Sequence, residues 1–259
     1  MLTNLLQNKN VLITGIAGKK SIAYGIAKEM HNAGANIAVT CQSPELVPHI
    51  TKITSEFNAS IVIPCDVADD NSILNMVNTL KLHWDNIDIV VHSIAYCPTD
   101  AFAGNFIEST TRDNFKVSHD ISSYSLIALT KATMPMLINT SSIIALTYIG
   151  STVVVPGYNV MSLAKASLEC GVRNLAYDLG PLGIRVNGLS AGPYYTHATR
   201  IGTFIKEHMR IYEKNSLLQR PITIEELANS AILLGSDLSS AITGQIIYAD
   251  GGYNVVGTK

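Results

Sequence analysis

NVLITGIAGKKSIAYGIAKEMHNAGA, residues 10–35, sets the architecture expected of this chain. Asn10–Thr14 is a short apolar run of β type that meets Gly15. From Ser21 to Ala33 the apolar residues Ile22, Ile26, Ala27 and Met30 recur at helical spacing, and Gly34 ends the pattern. Ser21 is a natural N-cap. Strand, glycine turn and helix in that order aim free backbone N–H groups and the positive end of a helix dipole at a diphosphate. The glycines do not follow the GxGxxG spacing, and taken alone the stretch also fits an ordinary βα turn.

The same alternation continues outward. Asn36–Thr40 is the next strand and ends at Cys41, Gln42 and Ser43. The end of a second strand in such folds meets the adenosine ribose, usually through an acid; Gln42 is neutral but can hydrogen-bond a ribose diol. No Lys or Arg lies between Lys28 and Lys52 to attract a 2′-phosphate, which favours NADH over NADPH. Leu46–Phe57 reads as a helix and Ser60–Ile63 as a third strand, followed by Cys65, Asp66 and Val67. Asp66 either accepts from an adenine amine or N-caps the following helix, Ser72–His83. Ile87–Val91 is a fourth strand running into His92–Pro98, whose backbone would pass the cofactor's ribose and nicotinamide. After a polar connection at 99–110 come a long helical stretch, Arg112–Leu137, and an apolar strand, Ser142–Leu146. Gly183–Leu189 is the sixth strand, Thr223–Leu234 a helix whose Thr223 and Glu226 form a capping box, and Gly244–Tyr248 the last strand. About seven such alternations predict an α/β doubly wound (Rossmann-type) parallel sheet of about seven strands with helices on both faces. With no repeat or linker, residues 1–259 are expected to form a single domain.

The chemistry is expected between Thr147 and Leu168, TYIGSTVVVPGYNVMSLAKASL. Tyr158 and Lys165 are seven residues apart; on a helix over 158–178 they share one face, about 10.5 Å apart along the axis. A phenol can donate to a developing oxyanion, and an ammonium two turns on can hold sugar hydroxyls. The same pair also fits a plain amphipathic helix. Tyr148 follows the strand Ser142–Leu146, at the strand end where such folds bind ligands. His92 reads as a structural histidine, because no nucleophile motif accompanies it, and His119 beside Asp120 as a buried polar contact. Ser190-Ala191-Gly192-Pro193 opens a loop and helical pattern with few deep apolar anchors, which suits a mobile lid at about 193–215.

Of the 259 residues 47% are hydrophobic and 15% charged, so much surface is expected to be buried, part of it between subunits. A net charge of −2 gives no basic stripe for nucleic acid. Cys41, Cys65, Cys97 and Cys170 form no CxxC pair and fit free thiols in a reducing cytosol better than disulfides or a metal site. MLTNLLQNKN lacks the apolar core of a signal peptide, and no eighteen apolar residues run together; a cytoplasmic protein without a membrane segment is expected.

Together these residues resemble the short-chain dehydrogenase/reductase superfamily, and more closely the bacterial NADH-dependent enoyl-acyl carrier protein reductases. The resemblance runs from Thr14 to Gly252, and its most specific part is Tyr158-Asn159-Val160-Met161-x-x-Ala164-Lys165-Ala166-Ser167-Leu168-Glu169. Six residues separate Tyr158 from Lys165, with Tyr148 upstream, as in these enoyl reductases, whereas most of the superfamily has three. Ser21-Ile22-Ala23-Tyr24-Gly25, Cys65-Asp66-Val67, His92-Ser93-Ile94, His119-Asp120-Ile121-Ser122 and Asp250-Gly251-Gly252 add to the match. The resemblance implies the last reductive step of fatty-acid elongation: hydride from NADH reaches the β-carbon of a trans-2-enoyl thioester carried on acyl carrier protein. Tyr158 would hydrogen-bond the enolate, Lys165 would hold the nicotinamide ribose, and Tyr148 would line the acyl pocket or assist the proton step. Gly15, Ser21, Ile22, Gln42, Asp66, Val67, Ser93, Ile94, Tyr194 and Thr196 fall at cofactor positions, and Cys97 where the thioester approaches. A homotetramer is also implied. The lid sequence Tyr194-Tyr195-Thr196-His197 is bulkier than the small and aliphatic residues usual there, and Cys97 replaces a common Ala. Lys206, Arg210 and Lys214 either meet an acidic carrier protein or form a solvated helix face. A ketoreductase or alcohol dehydrogenase fits less well, since no Asn-Asn-Ala-Gly run follows the fourth strand; a catalytically silent NAD-binding sensor is the other rival.

Overall fold

The computed structural model describes residues 4–59, 61–194 and 205–257, with the backbone alone at 205–207. Its strands are β1 (Asn10–Ile13), β2 (Asn36–Cys41), β3 (Ile61–Pro64), β4 (Ile87–His92), β5 (Leu137–Thr147), β6 (Arg185–Ala191) and β7 (Ile246–Ala249). All pair in parallel in one sheet of order β3-β2-β1-β4-β5-β6-β7. The helices are α1 (Ile22–Asn32), α2 (Val47–Thr54), α3 (Asp70–Leu80), α4 (Phe106–Ser109), α5 (Arg112–His119), α6 (Ser125–Thr133), α7 (Val160–Leu179), α8 (Ile205–Asn215) and α9 (Ile224–Gly235).

Parallel strands covered on both faces read as near-continuous apolar runs, and these do. Val11, Ile13, Val39, Val91, Ile144 and Leu189 pack under α1, α2 and α9. Leu12, Ala38, Val90, Ile143, Ala145 and Val186 face α3, α6 and α7 on the other side. The chain order reverses between β1 and β4, so a crevice opens beyond their C-terminal ends. α1 and α9 pack closely because Gly25 has no side chain: a Cβ there would lie 2.1 Å from Ile224 Cγ1.

Several boundaries differ from the sequence expectations. The helix expected at 158–178 begins at Val160, so Tyr158 is not on it. Gly157 (φ 80°) and Asn159 (φ 45°) turn the chain sharply on either side of Tyr158. The stretch Arg112–Leu137 is two helices joined by a π-turn at Asp120–Tyr124 and ended by a 3₁₀ turn at Met134–Met136. The pair His119–Asp120 is no buried polar contact: Asp120 is exposed and His119 stacks on Phe115, with its Nδ1 2.9 Å from the Phe115 carbonyl. β5 starts at Leu137 rather than Ser142, its register against β4 shifting between Ile87 and Ile89. The connection at 99–110 holds a 3₁₀ turn, Thr99–Phe102, and α4. α3 starts at Asp70, N-capped by Asp69 rather than Asp66.

Arg185 ties the sheet to the end of α9. Buried, it donates from one guanidinium nitrogen to the Leu234 carbonyl and Ser239 Oγ, both at 2.8 Å, and from the other to the Ser236 carbonyl at 3.2 Å. These carbonyls lie at a helix C-terminus, where orphan acceptors and the dipole both favour a cation. Arg185→Met is expected to lower the unfolding free energy by about 2 kcal/mol in a denaturant titration. A change under about 0.5 kcal/mol would remove the guanidinium from this role.

Candidate active site

The strand ends deliver the expected residues to one crevice. Gly15 follows β1 at φ 81°, and a Cβ on it would lie 2.3 Å from the Ser93 carbonyl oxygen and 3.1 Å from Ile94 Cγ1. Only glycine lets the first turn lie against the chain leaving β4. Thr14 stitches the two together: its hydroxyl donates to the Val91 carbonyl at 3.1 Å and accepts from the Ser93 N–H at 3.4 Å. Ser21 N-caps α1, accepting from the Tyr24 N–H at 3.2 Å while donating to the Gly18 carbonyl at 2.8 Å. Its hydroxyl is thus spent on structure, and the anion-binding groups here are the first-turn N–H groups from Ile22 onward.

Gln42 is exposed at the end of β2. Asp66, after β3, accepts from the Ala68 N–H at 3.0 Å, while Val67 is buried beside α3. A glycine cradle, a helix N-terminus with no acid in its first turn, and polar groups beyond β2 and β3 fit an extended dinucleotide.

Lys165 and Tyr158 reach the crevice from α7 and the turn before it. Lys165 is only 4% exposed and donates from Nζ to the Leu146 carbonyl at 2.7 Å. Burial lowers its pKa to about 8, opposed by the field of Glu169 one turn on. Glu169 is itself buried and accepts from Thr147 Oγ1 at 2.7 Å and Ser151 Oγ at 2.6 Å. Tyr158 stands edge-on to Tyr148, ring centroids 5.0 Å apart. It packs with Cys97, Ala101, Phe102, Val160, Met161 and Ala164. Burial raises the Tyr158 pKa well above the usual phenol value, with Tyr148, Cys97 and Glu169 adding to the shift. Burial also raises that of Tyr148, helped by Tyr253 and Asp250. Both phenols therefore keep their protons at neutral pH and act as donors. The Cys97 thiol, pushed up to about 12 by burial and by Asp100, is protonated and weakly reactive.

His92 is fully buried, and burial followed by the nearby Lys165 charge lowers its pKa to about 3. The Ser125 hydroxyl donates to the Ile121 carbonyl at 2.7 Å, so the 2.7 Å contact between His92 Nε2 and Ser125 Oγ is donated by the neutral ring. This is a structural histidine's environment.

Three residues near Tyr158 and Lys165 have no role in the sequence reading. Gly150 makes the slot for the Tyr158 ring, since a Cβ there would lie 2.5 Å from Tyr158 Cδ1. Glu169 had a usable signal, its spacing of one helical turn from Lys165. Asn159 adopts φ 45° and ψ −126°, a conformation costing about 1–3 kcal/mol in a non-glycine residue. Its Nδ2 donates to the carbonyls of Ala101 and Gly104 at 3.2 and 3.4 Å, bonds of about 1 kcal/mol each that offset part of the strain.

The lid region differs from expectation in one respect. α8 has a deep anchor, Tyr212, only 2% exposed, packed with Ala191, Ile222 and Leu227 and, more loosely, Tyr194 and Tyr253. A Cβ on Gly192 or Gly251 would lie 2.9 or 3.0 Å from its hydroxyl, so a side chain at either position would crowd the seated ring. Thr196, with Tyr195 and His197, lies outside the described residues.

Residues 15–254 match the family model described as enoyl-(acyl carrier protein) reductase. The chain is 46% identical over 252 residues to the NADH-dependent enoyl-acyl-carrier-protein reductase FabI of Neisseria meningitidis serogroup B, covering 96% of each chain. It is similar to the crystal structure of the NADH-dependent enoyl-acyl-carrier-protein reductase from Aquifex aeolicus, with TM-score 0.95 and 44% identity over 98% of this chain and 100% of that one. It is equally similar, at TM-score 0.95, to the reductase of Anaplasma phagocytophilum in complex with NAD, 36% identical over 99% of this chain and 98% of that one.

The displaced Lys165 pKa has a consequence for stability. Between about 8 and the ordinary 10.5, the unfolded chain holds a proton that the folded chain has released. The unfolded state binds more protons there, so stability rises with pH across this window. In denaturant titrations, the unfolding free energy of the wild type relative to Lys165→Met is expected to increase over that interval. A flat or falling difference would contradict the buried, depressed ammonium.

Proposed function

The chain belongs to the enoyl-(acyl carrier protein) reductase family, and on that premise we propose that Tyr158, Lys165 and Tyr148 carry its reaction. The reaction is the NADH-dependent reduction of the trans-2 double bond of an enoyl thioester in fatty-acid elongation. One observation supports this division most. Lys165 is drawn down onto the end of β5, while Tyr158, lifted off α7, faces Cys97 and Tyr148 across the crevice.

Bound NADH supplies the hydride that adds to the β-carbon of the enoyl thioester. The displaced electron pair moves to the thioester oxygen, and the protonated Tyr158 hydroxyl donates a hydrogen bond to that oxygen. Because burial holds its proton, Tyr158 stabilises the enolate without first surrendering a proton. Lys165, with a pKa near 8, is mostly charged at neutral pH and holds the ribose hydroxyls with the donors not spent on Leu146. The α-carbon is then protonated, giving the saturated thioester. Tyr148 walls the acyl pocket against the Tyr158 ring, or assists this proton step. Gly15, Ile22, Gln42, Asp66, Val67, Ser93, Ile94 and Tyr194 serve as cofactor positions, with Ser21 supporting them as the α1 cap; Thr196, outside the described residues, is a further cofactor position by resemblance alone. Cys97 meets the thioester.

The whole chain acts as one catalytic domain, with residues 193–215 as its lid. The substrate arrives on acyl carrier protein, for which the exposed Arg210 and Lys214 of α8 offer positive charge. Exposed apolar residues on α5, α6 and α7, among them Phe115, Ile127, Leu163 and Tyr177, suit burial in a homotetramer. Four unpaired thiols, three of them buried, suit a reducing cytoplasm. No described helix is long and apolar enough to cross a membrane.

Purified protein is expected to oxidise NADH with crotonyl-CoA and not with acetoacetyl-CoA, followed by reduced-nicotinamide absorbance. Oxidation with the ketoacyl thioester alone would make it a ketoreductase, and NADH binding without turnover on enoyl thioesters of any length would make it a sensor. Tyr158→Phe is expected to lower kcat about 100-fold, as loss of an oxyanion donor does elsewhere.

A further inference from the structure

Asn159 stands where the backbone is forced and where the wall of the crevice meets α7. Its φ of 45° and ψ of −126° lie outside the left-handed well that asparagine tolerates, and the residue is buried. Such a conformation persists only where its surroundings over-determine it. Here they do so from two sides. The Tyr158 and Asn159 carbonyls accept from the Met161 and Ser162 N–H groups at 3.1 and 3.0 Å, which locks the turn onto the start of α7. The Asn159 carboxamide donates to the carbonyls of Ala101 and Gly104, the segment whose Ala101 and Phe102 pack with Tyr158. The turn decides where Tyr158 points. A relaxed Asn159 would swing the preceding Cα–Cβ bond and withdraw the ring from its slot over Gly150.

We propose that Asn159 is a positioning residue for the enoyl reduction: its forced turn, tethered to Ala101 and Gly104, aims the Tyr158 hydroxyl at the thioester oxygen. The tether also makes that aim depend on the 101–104 segment, so Tyr158 is in place only when this wall is. This inference rests on the reading of Tyr158 as the donor to that oxygen.

Two substitutions separate the tether from the turn. Asn159→Ala removes both hydrogen bonds and leaves a Cβ in the forced conformation; Asn159→Gly removes the same bonds but takes the turn without strain. With NADH and crotonyl-CoA, N159A is expected to lower kcat about tenfold or more and N159G by less, each with an NADH dissociation constant within about twofold of wild type. The Tyr158 ring-proton NMR signals, assigned by their loss in Y158F, are expected to be displaced by the edge-on Tyr148 ring. They are expected to move toward free-tyrosine positions in N159A. Wild-type kcat in N159A, or loss of NADH affinity in step with kcat, overturns the proposal. Should N159A not fold, N159G decides: kcat lower by about threefold with unchanged NADH binding supports it, and wild-type kcat overturns it. A wild-type protein inactive on every enoyl thioester refutes the reaction assignment instead. The Tyr158 signals then still decide the positioning role, and signals unmoved in N159A, or in N159G should N159A not fold, overturn it.

Discussion

Lys165 is buried with its ammonium 2.7 Å from the Leu146 carbonyl, and the arrangement of the crevice follows from that contact. Taking a charge out of water costs several kcal/mol unless hydrogen bonds and an opposite charge offset it. The carbonyl at the end of β5 supplies the first, and Glu169, held by Thr147 and Ser151, supplies the second. Because all of these partners sit at or just beyond the end of β5, the register of α7 against that strand is fixed. Tyr158 lies outside that pinned helix. The turn at Gly157–Asn159 ends just before α7 and sets the Tyr158 ring against Tyr148.

Much of the scaffold was legible in the sequence because it obeys local rules. The β1–Gly15–α1 unit, the Ser21 cap and the Thr223–Glu226 capping box all appear where the residues suggest. So do all seven strands, whose apolar runs reflect burial on both faces. The first half of β5 lies outside the expected strand because its exposed residues Asn139 and Thr140 look like loop; they fall where the register against β4 shifts, between the pairs Ile87–Leu137 and Ile89–Ser142. The π-turn at Asp120–Tyr124 was missed because its helical period looks continuous. What it does is tertiary: Ser122 bonds both the N–H and the carbonyl of Tyr96, and Ser123 reaches Ser167 on α7.

The candidate site was proposed from composition and spacing, which carry none of its geometry. Six residues between Tyr158 and Lys165 suggested one helical face, whereas Lys165 stands on α7 and Tyr158 in the turn before it. A positive φ at a buried asparagine leaves no trace in hydrophobic periodicity. Nor does the crowding at Gly150, Gly192 and Gly251, which comes from rings brought from elsewhere in the fold. The lid shows the same limit. Nothing in the spacing along α8 marks Tyr212, yet it is seated against the ends of β6 and β7 and so ties α8 to the sheet.

The central claim is a division of labour: Lys165 holds the cofactor and Tyr158 acts on the substrate. Fluorescence titration of NADH into wild type, Lys165→Met and Tyr158→Phe tests it without any turnover. The account predicts an NADH dissociation constant raised about tenfold or more by Lys165→Met and left within about twofold by Tyr158→Phe. Equal weakening by both substitutions, or unchanged affinity in Lys165→Met, would contradict it.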